Sequence, residues 1–308
     1  MNMNLAPIAL FVYKRPVHTQ RVIEALLTNP EAKSSDLIIF ADGPKNSKDH
    51  AGTKAVRQIV SEITGFRSIE FHFSEMNHGL SNSLINGITD VLERHERIIV
   101  LEDDILVSRN FLKFMNEALV QYESEPRVAS IHGYVYPLES ELPDTFFIRG
   151  ADCWGWATWR RAWAEFSPDG RALYQELLES GQLEDFDFDG SAQYTQMLLD
   201  QIQGRNDSWA VRWYASAFLK DMLTLYPKKS LVTNIGLDGT GTHSGKSRIL
   251  NAQILDSGSL ELPLDVVEST LGRRAFENFF RSNASNSTRV AMRHWLREWT
   301  CWMNQLYG

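Results

Sequence analysis

Short apolar runs alternate with helical periodicities through the first third of the chain. Ile8–Tyr13 is continuously apolar and ends at Lys14-Arg15-Pro16, after which Val22, Ile23, Leu26 and Leu27 recur at helical spacing. That pattern predicts a buried strand followed by a helix. Leu37–Phe40 repeats the strand signal and breaks at Ala41-Asp42-Gly43-Pro44, with a helix predicted from about Thr53 to Ile63. Ile69–Phe73 predicts a third strand, and Ser81–Leu92 a helix whose apolar face is Leu84, Ile85, Ile88, Val91 and Leu92. Ile98–Leu101 predicts a fourth strand that runs directly into Glu102-Asp103-Asp104. Ser108 then reads as an N-cap before Phe111, Leu112, Met115 and Leu119, and Val128–Ile131 as a further strand.

Strands alternating with amphipathic helices predict βα units, hence an α/β fold with a doubly wound, mostly parallel sheet and helices on both faces. Ligands of such sheets bind at the carboxyl ends of the strands. The polar residues there are Lys14-Arg15, Asp42, Asn77 with Gly79, and Glu102-Asp103-Asp104. All four groups are expected to converge on one crevice.

Beyond Ile131 the periodicity weakens. Residues 150–163 hold four of the nine tryptophans, residues 184–190 form an acidic stretch read as a solvated loop, and residues 234–246 are Gly-rich. Asn283–Thr288 is small and polar and reads as a linker. The expected organisation is one domain over 1–248, its halves meeting near 107/108, then an extension and linker over 249–288 and a C-terminal helix over 289–308. In that helix Trp295, Trp299, Trp302 and Leu306 share a stripe, with Arg289, Arg293 and Arg297 also helically spaced. Such a basic amphipathic helix suits an anionic membrane interface, and equally a dimer contact.

The chain has 308 residues, 31 basic against 39 acidic, for a formal charge of −8. That balance argues against a nucleic-acid partner, which requires clustered cations. Cys153 and Cys301 are the two cysteines, so neither a disulfide framework nor a four-thiolate zinc site can form in one chain, and a cytoplasmic setting is expected. The Leu5–Tyr13 run is interrupted by Pro7, is too short to span a bilayer, and lacks the flanks of a signal peptide.

Three acids at a strand end repel one another unless a cation compensates, and hard divalent ions such as Mg2+ or Mn2+ favour such oxygen ligands. A solvated strand-end turn is the alternative reading of the same residues. The first strand is followed by Tyr13-Lys14-Arg15-Pro16-Val17-His18, without glycine. A G-x-G-x-x-G dinucleotide site is thereby excluded, and a sugar-phosphate nucleotidyltransferase, which carries a Gly-rich loop there, is disfavoured.

The stretch IIVLEDDILVSRNFL, Ile98–Leu112, resembles the acidic motif of GT-A fold glycosyltransferases, in the variant of the N-acetylglucosaminyltransferase I group. Residues 5–248 are similar to bacterial family-2-like sugar transferases; residues 250–308 are not covered. The resemblance implies a metal-dependent, inverting transfer from a nucleoside-diphosphate sugar, UDP favoured, to a saccharide or lipid-linked saccharide in surface glycan synthesis. It implies Asp104 as the protein ligand of the metal, with Glu102 and Asp103 on the donor's ribose or sugar hydroxyls. Arg15 matches a nucleotide-contacting position, Asp42 the acid that bonds the base, and Asn77-His78-Gly79 an element bordering the donor. By pattern alone Asp42 serves equally as an Asx-turn. Asn82 and Asn86 lie one helical turn apart on the polar face, which capping or solvation also explains.

Asp152-Cys153-Trp154-Gly155-Trp156 resembles the Gly-Trp segment lining donor and acceptor, and Trp154 and Trp156 are expected to pack on sugar faces. Trp156, Trp159 and Trp163 also fall at i, i+3 and i+7, a spacing that suits core packing. Asp207 aligns with the catalytic base, although the family's base follows a Trp and here Trp209 comes after the acid; Asp152 is the second candidate. In the Gly-rich segment His243 matches a second metal ligand of some GT-A enzymes, while Lys246 and Arg248 suit a diphosphate clamp. A binding module that retains the fold without turnover is the reading from a different class.

Overall fold

The computed structural model describes residues 5–236, 255 and 258–285. Ten strands occur among them: β1 (Ile8–Val12), β2 (Asp36–Ala41), β3 (Ser68–Phe73), β4 (Arg97–Glu102), β5 (Ile105–Val107), β6 (Val128–His132), β7 (Thr145–Ile148), β8 (Trp156–Trp159), β9 (Leu223–Pro227) and β10 (Val232–Asn234). The helices are α1 (Pro16–Leu27), α2 (His50–Ser61), α3 (Leu80–Arg94), α4 (Phe111–Gln121), α5 (Arg160–Trp163), α6 (Gly170–Glu179), α7 (Leu183–Phe186), α8 (Tyr194–Ile202), α9 (Trp209–Leu219) and α10 (Thr270–Ser285).

Eight strands form one sheet in the order β3-β2-β1-β4-β8-β6-β9-β7. The pairs β3–β2, β2–β1, β1–β4 and β6–β9 are parallel, while β8 runs antiparallel to both neighbours and β7 to β9. Every residue of β1 is buried, which is why its sequence is continuously apolar and not alternating. α3 packs on β1 and β4, α4 on β6 and β8, and α1 on α2, so the doubly wound α/β expectation holds. β5 and β10 form a separate two-stranded ribbon that the sequence pattern does not announce.

Differences from the sequence expectations have local causes. α4 starts at Phe111 with Asn110 at the cap position, and the Ser108 hydroxyl caps nothing. Asn283-Ala284-Ser285 continues α10, so the supposed linker is helical that far. The acidic 184–190 stretch is not simply solvated. Asp185 pairs with Arg149 and Arg273, and Asp187 accepts the Thr195 N–H at 2.7 Å, burial pushing its carboxyl up to about 6. Trp156 and Trp159 lie on β8 and Trp163 on α5, so their spacing is not that of one helix.

Candidate functional site

From β1 the chain winds to β2 and β3 on one side of the sheet, while β4 pairs with β1 on the other. The β1/β4 boundary is therefore a topological switch point, where a crevice opens beyond the strand ends. Arg15 lies just past β1 and the three acids end β4. Arg15 Nη2 lies 2.6 Å from Asp103 Oδ1 and 3.1 Å from Asp104 Oδ2, and the Tyr13 N–H donates to Asp103 at 3.4 Å. Glu102, Asp103 and Asp104 are 9%, 4% and 0% exposed, so one guanidinium faces three buried acids.

The electrostatic consequence follows from burial. Desolvation, then repulsion from Asp104 and Asp103, raises the Glu102 carboxyl well above the usual range. Desolvation pushes Asp104 up to about 6 against the opposing pull of Arg15. Asp104 Oδ1 has no hydrogen-bond partner among the described residues, and Oδ2 has the ion pair with Arg15. A buried oxygen left in this state is what a hard divalent ion satisfies, and the donor set fits Mg2+ or Mn2+. Among the described residues no three His, Cys, Asp or Glu side chains surround a common point, so an ion on Asp104 would complete its shell with water or phosphate oxygens. Gly236 sits directly over this carboxylate, where any side-chain carbon would collide with Asp104 Oδ2. The Ile235 N–H holds that approach by donating to the Asp104 carbonyl at 2.9 Å.

Asp42, Asn77 and Gly79 do come together, in a manner the sequence does not disclose. The Asp42 carboxylate accepts from the N–H groups of Gly43 at 2.9 Å, His78 at 2.9 Å and Gly79 at 3.0 Å, and from Asn77 Nδ2 at 3.0 Å. It braces the loop after β2 against the turn before α3. Asn82 donates to the His78 carbonyl at 3.0 Å within the same turn. Beside it, Arg212 of α9 donates to Ser81 Oγ at 2.8 Å and lies 3.8 Å from Asp207, whose side chain is 57% exposed.

A narrow cleft on the other side of the acids is lined by Asp152, Trp154, His132, Tyr134, Tyr136 and Tyr194. Asp152 accepts from Tyr226 at 2.9 Å and from Tyr136 at 3.5 Å, and burial pushes it up to about 6. Cys153 connects this cleft to the acids, since Glu102 and Asp152 both raise its thiol after burial does. His132 Nε2 accepts the Trp154 N–H at 3.0 Å and so fixes the Gly-Trp segment from behind. Gly155 has φ +61°, and a side chain there would meet Val232. Trp156 is corrected as a sugar-contacting residue. It is 0% exposed and packs 5.7 Å from Trp209 and 5.9 Å from Trp213, ring centre to ring centre, so no face is open to a ligand.

His243, Lys246 and Arg248 lie outside the described residues, as does the 289–308 segment. Arg212, His132 and the tyrosines around Asp152 are absent from the sequence reading. Their contacts join positions far apart in the chain, which no local motif signals.

No family model and no curated protein matches the sequence. Solved structures of similar shape are distant. S. aureus TarS shares 10% identity, over 73% of this chain and 36% of its own, with a TM-score of 0.41. Mannosyltransferase PcManGT from Pyrobaculum calidifontis, in complex with GDP-Man and Mn2+, shares 10% identity over 44% of this chain and 36% of its own, TM-score 0.30. Mouse xyloside xylosyltransferase 1, apo form, shares 12% over 70% and 83%, TM-score 0.39. The chain spans about a third of the length of the first two. At these scores the likeness carries no argument, and the functional reading rests on the residues.

Proposed function

We propose that the protein is a metal-dependent glycosyltransferase that moves a sugar from a nucleoside-diphosphate donor, UDP favoured, to a hydroxyl of a saccharide or lipid-linked saccharide. The observation that carries this reading is the Arg15–Asp103–Asp104 arrangement at the switch point, with Asp104 fully buried, its Oδ2 paired with Arg15 and its Oδ1 unsatisfied. Asp104, supported by Glu102 and Asp103, would hold the ion. When bound, a divalent ion supplies Lewis-acid stabilisation of a diphosphate leaving group. Arg15 adds a fixed positive charge beside it.

In an inverting transfer the acceptor oxygen bonds to the anomeric carbon as the bond to the diphosphate breaks, and a carboxylate takes the acceptor proton. Asp207 is the proposed base because it is open to an incoming hydroxyl at the mouth of α9. Asp152, which receives two tyrosine hydroxyls in a cleft of about 30 Å3, too small for a sugar ring, is the second candidate for that base.

The test is thermal denaturation of wild type and Asp104→Asn with nucleoside diphosphates, each with Mn2+ and with chelator. Saturation at about 100 times the dissociation constant adds roughly 2.7 kcal/mol of stability. A Mn2+-dependent shift lost in the variant supports the reading. A shift of equal size in Asp104→Asn rejects it.

A further inference from the structure

The two edges of the eight-stranded sheet are finished differently. The β7 edge is covered: Glu268 bridges to Phe147, the Ser269 N–H donates to the Phe147 carbonyl at 2.7 Å, and Thr145 Oγ1 donates to the Glu261 carbonyl at 2.6 Å. β3, at the other edge, pairs with β2 alone among the described residues. α3 packs over β1 and β4, and α2 over β2, so both helices stand back from this edge and Phe71 and Phe73 are left 42% and 37% exposed. The strand, Ser-Ile-Glu-Phe-His-Phe, has no proline, no lysine and no bulge, which are the devices that ordinarily keep an open edge from pairing.

The direction of its backbone groups is fixed by β2. Asp42 donates its N–H to the Val12 carbonyl, on the β1 side, at 3.3 Å, and Ser74 donates to the Ala41 carbonyl at 3.0 Å. The register is unbroken from Ser68 to Phe73, so alternation turns the N–H and C=O groups of Glu70 and His72 inward to β2 and those of Ile69, Phe71 and Phe73 outward. Arg67, which donates to the Ser35 carbonyl, precedes the strand and lies outside this alternation. Side chains alternate as well. Glu70 and His72 share the α3 face, where Arg94 reaches Glu70 at 3.0 Å and Phe40 stacks on His72 at 4.7 Å. Ile69, Phe71 and Phe73 share the α2 face, where the Arg57 guanidinium lies 5.3 Å over the Phe73 ring.

A second β3, antiparallel across a twofold axis, meets this edge in a register chosen by charge. An axis at Glu70 sets two carboxylates against each other, which is unfavourable, and an axis at His72 leaves Ile69 with no strand residue opposite it. An axis at Phe71 sets Ile69 opposite Phe73 of the copy, Phe71 opposite itself, and each Glu70 carboxylate opposite a His72 imidazole. It also pairs every outward N–H and C=O of Ile69, Phe71 and Phe73. We propose that β3 is the seam of a homodimer in which two copies pair antiparallel about Phe71 and run one sheet through both. The complementarity of Glu70 and His72, two positions apart on one face, selects a second copy of this chain as the occupant.

Sedimentation equilibrium of the full chain at up to about 100 µM reads the self-association. Wild type should show twice the mass of one chain. Phe71→Lys, which faces two ammonium groups across the axis, should weaken association by about 30-fold or more, the loss of one central anchor, with unchanged far-ultraviolet circular dichroism. Oxidation to disulfides on a Cys301→Ser background reads the register. Opposed residues of a hydrogen-bonded antiparallel pair lie about 5.5 Å apart at Cα, within disulfide reach, whereas the two copies of residue 69 stand about 13 Å apart. Phe71→Cys should therefore crosslink, Ile69→Cys should not, and Ile69→Cys combined with Phe73→Cys should. Each of these results overturns the proposal: wild type monomeric at every concentration, a dimer undiminished in Phe71→Lys, or crosslinking at Ile69→Cys as fast as at Phe71→Cys. If Phe71→Lys does not fold, the crosslinking pattern decides.

Discussion

Lowering the pH from 7 to 5 should load a charge that the native fold has no room for at His132. The imidazole is completely buried, and desolvation moves it from 6.5 down to about 3. In the unfolded chain it titrates near 6.5, so between those values the unfolded state holds a proton that the native state refuses. Stability from this residue is therefore fully present above 6.5 and falls as pH drops below it, at about 1.4 kcal/mol per pH unit. From pH 7 to pH 5 the loss is about 2 kcal/mol. Asp152 and Asp187 act in the opposite sense. Burial pushes each up to about 6, so the native state gains protons first and stability rises as pH falls through that value. The wild-type profile sums these terms, and the diagnostic quantity is the difference between wild type and His132→Gln, whose amide oxygen can still accept the Trp154 N–H. Urea unfolding followed by tryptophan fluorescence should show wild type more stable at pH 7, with its advantage shrinking by about 2 kcal/mol at pH 5. Parallel stability profiles for the two proteins would refute the buried, neutral imidazole.

Further outcomes follow from the same geometry. Asp207→Asn should retain Mn2+-dependent nucleotide binding while transfer to acceptor falls by about 100-fold or more, measured as product formed at saturating donor; undiminished transfer removes Asp207 as the base. Arg15→Met leaves three buried acids without their guanidinium and should lower stability in chelator by about 3 kcal/mol in urea unfolding, with part regained in Mn2+. Gly155→Ala, at φ +61° and against Val232, should cost about 1–3 kcal/mol by the same measurement, and a neutral result would mean the Gly-Trp turn relaxes freely.

The first half of the fold is legible because burial on both faces writes itself as unbroken apolar runs. Ile8–Val12 and Ile98–Leu101 announce their strands, and the switch point then follows from the alternation with helices. The second half is less legible because β6–β9 mix parallel and antiparallel neighbours, and short elements such as α5 and α7 have too few turns to show a period. At the site, Arg15 is found with the acids at the end of β4, and Asp42 with Asn77 and Gly79 at the end of β2. Their roles were harder to read. Asp42 is indistinguishable in sequence from a ligand-binding acid, and only its backbone partners reveal a brace. Trp156 misleads for a related reason: aromatic residues serve sugars and cores alike, and burial decides between them.

The packing of Trp156 with Trp163, Trp209 and Trp213 has a consequence in optics. Four indoles within 5.3–6.4 Å of a neighbour share excitation, so they behave as a coupled chromophore and not as separate emitters. The block joins β8 of the central sheet to α9, at whose entrance Asp207 stands. Its near-ultraviolet circular dichroism therefore works as an intrinsic gauge of how that carboxylate is seated on the sheet, readable without any label and before any substrate is known.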